Sequence, residues 1–275
     1  MFALADLLAS FDLKETGENT FAAPNVPIGH GVVHGGQILG QSIVAAAFGQ
    51  DGKFVKTVHT VFPRAGSTEV ETEIVVDRFH SGGSMGSATV SFVQNGRVCA
   101  RSNVLLTADE PDLIKHAVPG KAVASPDDSP QTKMSGDWDV RVVGGVDISD
   151  PEAVGPAELD VWVRFPGAPQ DRVINQALLS VSTDAFLIGT AMRPHAGVGQ
   201  AQAHKTLTTG VLSHTLTFHE PAYAGDWLLL AQQSPYAGRG RTYGTANVFT
   251  QDGTLVASFV QDAIVRAMSK PGSKL

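Results

Sequence analysis

The sequence predicts an α+β fold in which one unit, a buried helix wrapped by antiparallel strands, is written twice. Three observations carry that expectation. Phe92 to Ser102 reads FVQNGRVCARS and Phe249 to Phe259 reads FTQDGTLVASF, 157 residues further on, so a duplicated unit is the most economical account. Two apolar stretches, one ahead of each run of strands, lack a polar face and must be buried nearly all round. Between the copies, residues 109–137 are crowded with Pro, Asp, Ser, Gly and Lys and have no periodicity, as a linker does. The expected organisation is a first repeat over 1–108, the linker 109–137 and a second repeat over 138–275.

Taken in order, the chain opens with MFALADLLASFDLKETG, a short amphipathic helix with acidic residues, and a Pro/Gly-rich loop from Ala22 to Gly31. Gly35-Gly36 then breaks the pattern, and the run from His34 to Phe48 is helical and apolar from Gln37 onward. Extended segments follow at about 55–63, 67–77, 84–94 and 97–107. In the second of these, Val70, Thr72, Ile74 and Val76 alternate with Glu69, Glu71, Glu73 and Val75, the period of a strand with one wet face. Asn95-Gly96 is a hairpin signal because both residues tolerate positive φ, and Asp252-Gly253 repeats it. The second copy has a strand at Glu158–Phe165, a second apolar helix from Val173 to Met192, and strands at about 211–219, 226–234, 241–250 and 254–266. Carried upstream, the repeat sets Gly82-Gly83 opposite Arg239-Gly240 and, with a short gap, His59 beside His214. Two curled sheets in one chain can pair edge to edge and cover edges that would otherwise be sticky.

The 275 residues, 43% hydrophobic and 17% charged, suffice for a sizeable core. A net charge of −7, with no Lys/Arg stripe interleaved with aromatics, argues against a nucleic-acid partner. The lone cysteine, Cys99, sits in an apolar strand and reads as a buried thiol kept reduced. The N-terminus lacks a signal peptide's basic start and cleavage site, and no apolar run is long enough to span a bilayer. A cytoplasmic protein with no membrane insertion is expected.

Asp184 is the first candidate for chemistry. It interrupts a nearly all-apolar helix, where a carboxylate costs several kcal/mol unless paired or hydrogen-bonded. Either Thr183 or Asp184 caps a restarted helix turn or the carboxylate meets a buried Arg, or Asp184 is a general base whose pKa desolvation raises. Gln261 interrupts the strand VASFVQDAIV, and its counterpart in the first copy is Val104. It is either a satisfied core amide or, with Asp184, a holder of a water or an oxyanion. His34, Gly35 and Gly36 start a helix, where backbone N–H groups can receive a carbonyl oxygen or a phosphate; alternatively, the glycines only permit close packing. Arg239 and Arg241, in GRGR, are either an anion site or a solvated turn. Gly82-Gly83-Ser84-Met85-Gly86 matches G-x-S-x-G, but a strand pattern follows where a nucleophile elbow needs a helix. His30 with His34, and His214 with His219, have no carboxylate at metal-site spacing, so no metal is expected.

HGGQILGQSIVAAA, VHTVFPRAG, the Asn-Gly hairpin, HTLTFHEP, GDWLLL and FTQDGTLVASFVQDAIVR together resemble the acyl-CoA thioesterase II (TesB-like) family over most of the chain outside the linker. That resemblance implies a double hot-dog fold and hydrolysis of acyl-CoA by an activated water, without a covalent intermediate, a metal or another cofactor. It implies that Asp184 and Gln261 act on that water with a hydroxyl from the strand entering H-x-x-x-F-H. Counted back without gaps from His214, the hydroxyl position falls on Val211, so either Ser213 or Thr209 is expected to supply it or the site works with two residues only. Substrate contacts are expected from His34, Gly35, Gly36, His59, Arg239 and Arg241, with the acyl chain between helix and sheet. The rivals are a hot-dog dehydratase or enoyl-CoA hydratase using His59 or His214, and a non-catalytic acyl-CoA-binding protein. A homo-oligomer is expected, since curled sheets complete themselves by pairing.

Overall fold

Alternating apolar positions along both runs of strands assemble into one antiparallel sheet that curls around two helices. The computed structural model describes residues 3–27, 29, 31–132 and 137–268. Helix α1 (Leu4–Phe11) buries Leu4, Leu7 and Phe11 and stops at Asp12, so Lys14–Gly17 is not helical as expected. It forms a small hairpin instead: β1 (Lys14–Gly17) and β2 (Thr20–Ala23), joined at Asn19 with φ 52. The loop expected from Ala22 therefore starts two residues later.

Helix α2 (Gly35–Ala47) is buried without a break from Gly36 to Ile43. Strands β3 (Lys53–Val61), β4 (Thr72–Ser81), β5 (Met85–Gln94) and β6 (Arg97–Ala108) follow. Thr72, Ile74 and Val76 face inward as their alternation requires. Asn95 and Gly96 turn between β5 and β6 at φ 50 and 70. Ser84 lies in the β4–β5 turn with a strand after it, so no nucleophile elbow forms.

The second half opens with β7 (Asp139–Val142), which the sequence did not disclose, and β8 (Glu158–Arg164). The expected single helix over Val173–Met192 is two: α3 (Arg172–Thr183) and α4 (Leu187–Met192). Side-chain hydroxyls compete for the last carbonyls of α3, Ser180 Oγ donating to Ala177 O and Thr183 Oγ1 to Ser180 O, which weakens helix continuation. Strands β9 (Leu207–Phe218), β10 (Leu228–Gly238), β11 (Arg241–Thr250) and β12 (Leu255–Ala267) complete the chain.

The strand order is β1-β2-β4-β5-β6-β3-β9-β12-β11-β10-β8-β7, the same from either end once β3 is exchanged for β9, β6 for β12 and so on. Pairing of β3 with β9 joins the halves, Thr60 opposite His214 and Val58 opposite Leu216. Register corrects one expectation. Val104 of β6 pairs with Val58, and its counterpart Gln261 of β12 pairs with His214. Val58, not His59, therefore stands where His214 does, and one residue of slip turns a side chain to the other face.

One apolar core runs through both halves, with α2 and α3 crossed at its centre. The crossing is close because Gly36 and Gly40 meet α3 backbone: a Cβ on Gly36 would lie 2.8 Å from Val181 Cα, and one on Gly40 3.2 Å from Ala177 O. A second cluster, Trp162, Trp227, Leu229 and Phe249, is covered by the segment before β7, where Trp162 Nε1 donates to Ala124 O at 2.9 Å. Among the described residues no helix is long and apolar enough to cross a membrane.

Candidate active site

Asp184 sits at the break between α3 and α4, at the C-cap of α3, and the crossing of the helices aims its carboxylate at the start of α2. Gly36 N donates to Oδ2 at 2.9 Å, and Gln261 Nε2 donates to Oδ1 at 3.1 Å. His34 Nε2 lies 3.6 Å from Oδ2, while His34 Nδ1 accepts from Gly36 N at 3.1 Å and caps α2. The side chain of Asp184 is 4% exposed and that of His34 19%. Burial pushes the Asp184 carboxyl up from 3.8 to about 7, with the Gly36 N–H pulling the other way. Asp184 closes α3, but the restarted helix α4 is capped by Phe186, and the partners of the carboxylate are Gly36, Gln261 and His34, not an Arg.

The glycine pair serves close packing, the second of its two sequence readings. A Cβ on Gly35 would lie 2.8 Å from Asp184 Oδ2, so only glycine lets the carboxylate approach. The Gly36 N–H serves that carboxylate, not a carbonyl oxygen or a phosphate.

Gln261 is 2% exposed on the inner face of β12. Its Nε2 reaches both Asp184 and His214 Nδ1, the latter at 3.2 Å, whereas its Oε1 meets no hydrogen-bond donor among the described residues. His214 is fully buried, stacked on Phe259 at 5.5 Å, with Nε2 3.1 Å from Thr183 Oγ1. Burial first and the charge of His59 second hold its pKa down to about 3, so it is neutral. The sequence named His214 only for a rival chemistry and Thr183 only as a candidate helix cap. The signal available was that His214 falls on the inward parity of its strand.

Four expected members stand elsewhere. In β9 the pairing runs from Ser213 opposite Asp262 directly to Val211 opposite Ala263, so Leu212 is an extra, bulged residue. Val211 and Thr209 therefore share the face of Gln261, and Ser213 points to the opposite face, where its hydroxyl donates to Asp262 at 3.2 Å. Ser213 is not the hydroxyl of this site. His59 also lies on the outer face, its Nδ1 2.8 Å from Thr215 Oγ1, and does not contact Asp184. With His59 outside and both ring nitrogens of His214 engaged, neither histidine faces a substrate carbon as a hydratase needs. Arg239, at φ 55, and Arg241 are exposed in the β10–β11 turn; Arg241 pairs with Ile264, further along β12 than Gln261.

The sequence model of the acyl-CoA thioesterase N-terminal domain matches residues 22–107, and that of the C-terminal domain matches residues 118–265. Acyl-coenzyme A thioesterase 8 of Mus musculus is 25% identical over 260 residues, 84% of this chain and 79% of its own length. The crystal structure of acyl-CoA thioesterase II TesB2 from Mycobacterium marinum superposes with a TM-score of 0.81 at 28% identity, covering 96% of this chain and 99% of that one. A hot dog fold protein from Alicyclobacillus acidocaldarius superposes with a TM-score of 0.77 at 17% identity, over 96% of this chain and 98% of its own. The fold is a double hot-dog, and the chain belongs to the acyl-CoA thioesterase family.

Proposed function

We propose that this acyl-CoA thioesterase hydrolyses its substrate with a single water held between Asp184 and Gln261. The observation that carries the reading is a buried carboxyl poised at about 7 with a buried amide upon it. Ionised Asp184 takes one proton of the water, and Gln261 Oε1, which lacks another donor, accepts the second hydrogen bond. The hydroxide so formed attacks the thioester carbonyl, the carbon–sulfur bond breaks, and the proton held by Asp184 passes to the departing thiolate. Acid and thiol are the only products. The α2 N-terminus, through Gly36, favours the ionised carboxylate that starts the cycle.

The 19% exposed His34 supports a role at the substrate side of the carboxylate, and the exposed Arg239 and Arg241 suit the CoA phosphates. The mirrored strand order supports two repeats, 1–108 and 138–275, about the linker 109–137. The buried lone thiol of Cys99 supports a cytoplasmic location, and a homo-oligomer remains the expected assembly.

The test is release of free thiol from acyl-CoAs of increasing chain length by the wild type and by Asp184→Asn. Release abolished by the substitution supports the reading and gives the chain preference. Unchanged release overturns it, and binding without release in the wild type makes the chain a carrier.

A further inference from the structure

A water held by Asp184 and Gln261 requires the Gln261 amide to face one way, nitrogen to the carboxylate and oxygen to the water. A terminal amide has two ends of nearly equal size, so its orientation must be imposed by its partners. We infer that His214, itself fixed by Thr183, is a positioning residue that sets the orientation of the Gln261 amide; the inference rests on the reading of Asp184 and Gln261 given above.

The direction of every bond follows from one backbone carbonyl. Ser180 O can only accept, and Thr183 Oγ1 donates to it at 2.8 Å, which commits the hydroxyl proton. Thr183 therefore offers a lone pair to His214 Nε2 at 3.1 Å, so the imidazole proton sits on Nε2. Nδ1 is left bare, and across 3.2 Å it can face only the nitrogen end of Gln261. The second N–H of that amide then meets Asp184 Oδ1 at 3.1 Å, and Oε1 is turned away from both. Protonating His214 would make Nδ1 a donor facing an amide donor, and the burial of the ring opposes it. The groups facing the ring are Thr183 from α3, Gln261 and Phe259 from β12, and, by charge alone, His59 from β3.

The fold does not require this chain of bonds. In the first half Val58 and Val104 occupy the places of His214 and Gln261, and both are buried within the same core. Fully burying a polar ring where an aliphatic residue suffices points to a task beyond packing.

The experiment compares His214→Phe, which keeps a planar ring and removes the acceptor, with His214→Asn, whose side-chain oxygen can stand in for Nδ1. Asp184→Asn runs alongside. Expected is a kcat about 10- to 100-fold lower for His214→Phe with KM within about twofold, and recovery of a good part of it in His214→Asn. Nitrogen NMR of histidine-labelled wild type should show one buried imidazole with a protonated Nε2 and a bare Nδ1 from about pH 5 to 8, and Thr183→Val should disturb that signal. The inference is overturned by a folded His214→Phe with wild-type kcat, by His214→Asn no better than His214→Phe, or by the opposite tautomer. Since substitution at a buried ring can unfold the chain, the spectrum of the wild type decides alone in that event. If Asp184→Asn keeps hydrolysis, the site reading has failed; if it is silent while His214→Phe is fully active, only the positioning role has.

Discussion

Replacing Asp184 by Asn should change the dependence of stability on pH as well as turnover. The carboxyl titrates near 3.8 in an unfolded chain and at about 7 in the folded protein, because burial disfavours its charge. A folded-state pKa that lies above the unfolded one means that the native protein holds the proton more tightly. Folding is unpenalised below about pH 4, where both states are protonated, and the cost accumulates as pH rises from there to about 7. At 1.36 kcal/mol per pH interval of one, the full cost is roughly 4 kcal/mol. Asn carries no such proton. The unfolding free energy of Asp184→Asn relative to wild type should therefore rise by about that amount between pH 4 and pH 8, equivalent to roughly 8–16 °C in Tm for a chain of this size. Urea or thermal unfolding of both proteins at several pH values reads it directly. A difference that stays constant across the range would refute the claim that Asp184 is buried and desolvated.

The same titration should appear in kinetics: kcat/KM rises about tenfold per pH unit below about 7 and levels above it, and a profile flat from pH 5 to 8 would remove Asp184 as the base. Gly36→Ala forces a Cβ to within 2.8 Å of Val181 Cα, so it should cost about 1–3 kcal/mol in unfolding experiments and lower kcat by shifting the N–H off Asp184. Ser213→Ala should leave kcat within about twofold, whereas Val211→Thr, which puts a hydroxyl on the face of Gln261, should raise it by up to about tenfold, the worth of one hydrogen bond. A loss in the first and no gain in the second would reverse the assignment of strand faces.

Those faces mark the boundary of what the residues disclose unaided. Asp184 stands out because a carboxylate in an apolar run is an anomaly in any fold, and Gln261 because its counterpart is Val104. The hairpin at Asn95-Gly96 is legible because its chemistry is local. By contrast, β1, β2 and β7 have four residues each, too few for a period to register. The break after Thr183 is hidden inside an apolar stretch, since hydroxyl back-bonding leaves hydropathy unchanged. Leu212 is the most instructive case: a bulge has no signature in composition, yet it puts Val211 and Ser213, two residues apart, on opposite faces of the strand. His59 and His214 look equivalent as strings and differ by one residue in register, which is enough to send one outside and the other to the centre of the site.

His34 and Gly36 come from the first half, while Asp184 and Gln261 come from the second. Were the halves identical, two-fold symmetry would build this arrangement twice. Here Ala47 stands thirteen residues past the cap of its helix, as Asp184 does past Asp171, and Val58 and Val104 match His214 and Gln261. The mirrored location carries aliphatic side chains in place of an acid, an imidazole and an amide. Joining the two units in one polypeptide thus permits asymmetric drift: each half can specialise, one supplying a helix start and the other an acid and its amide. On the proposed reading, the stoichiometry that results is one reaction centre per chain among the described residues, assembled only when both units are present.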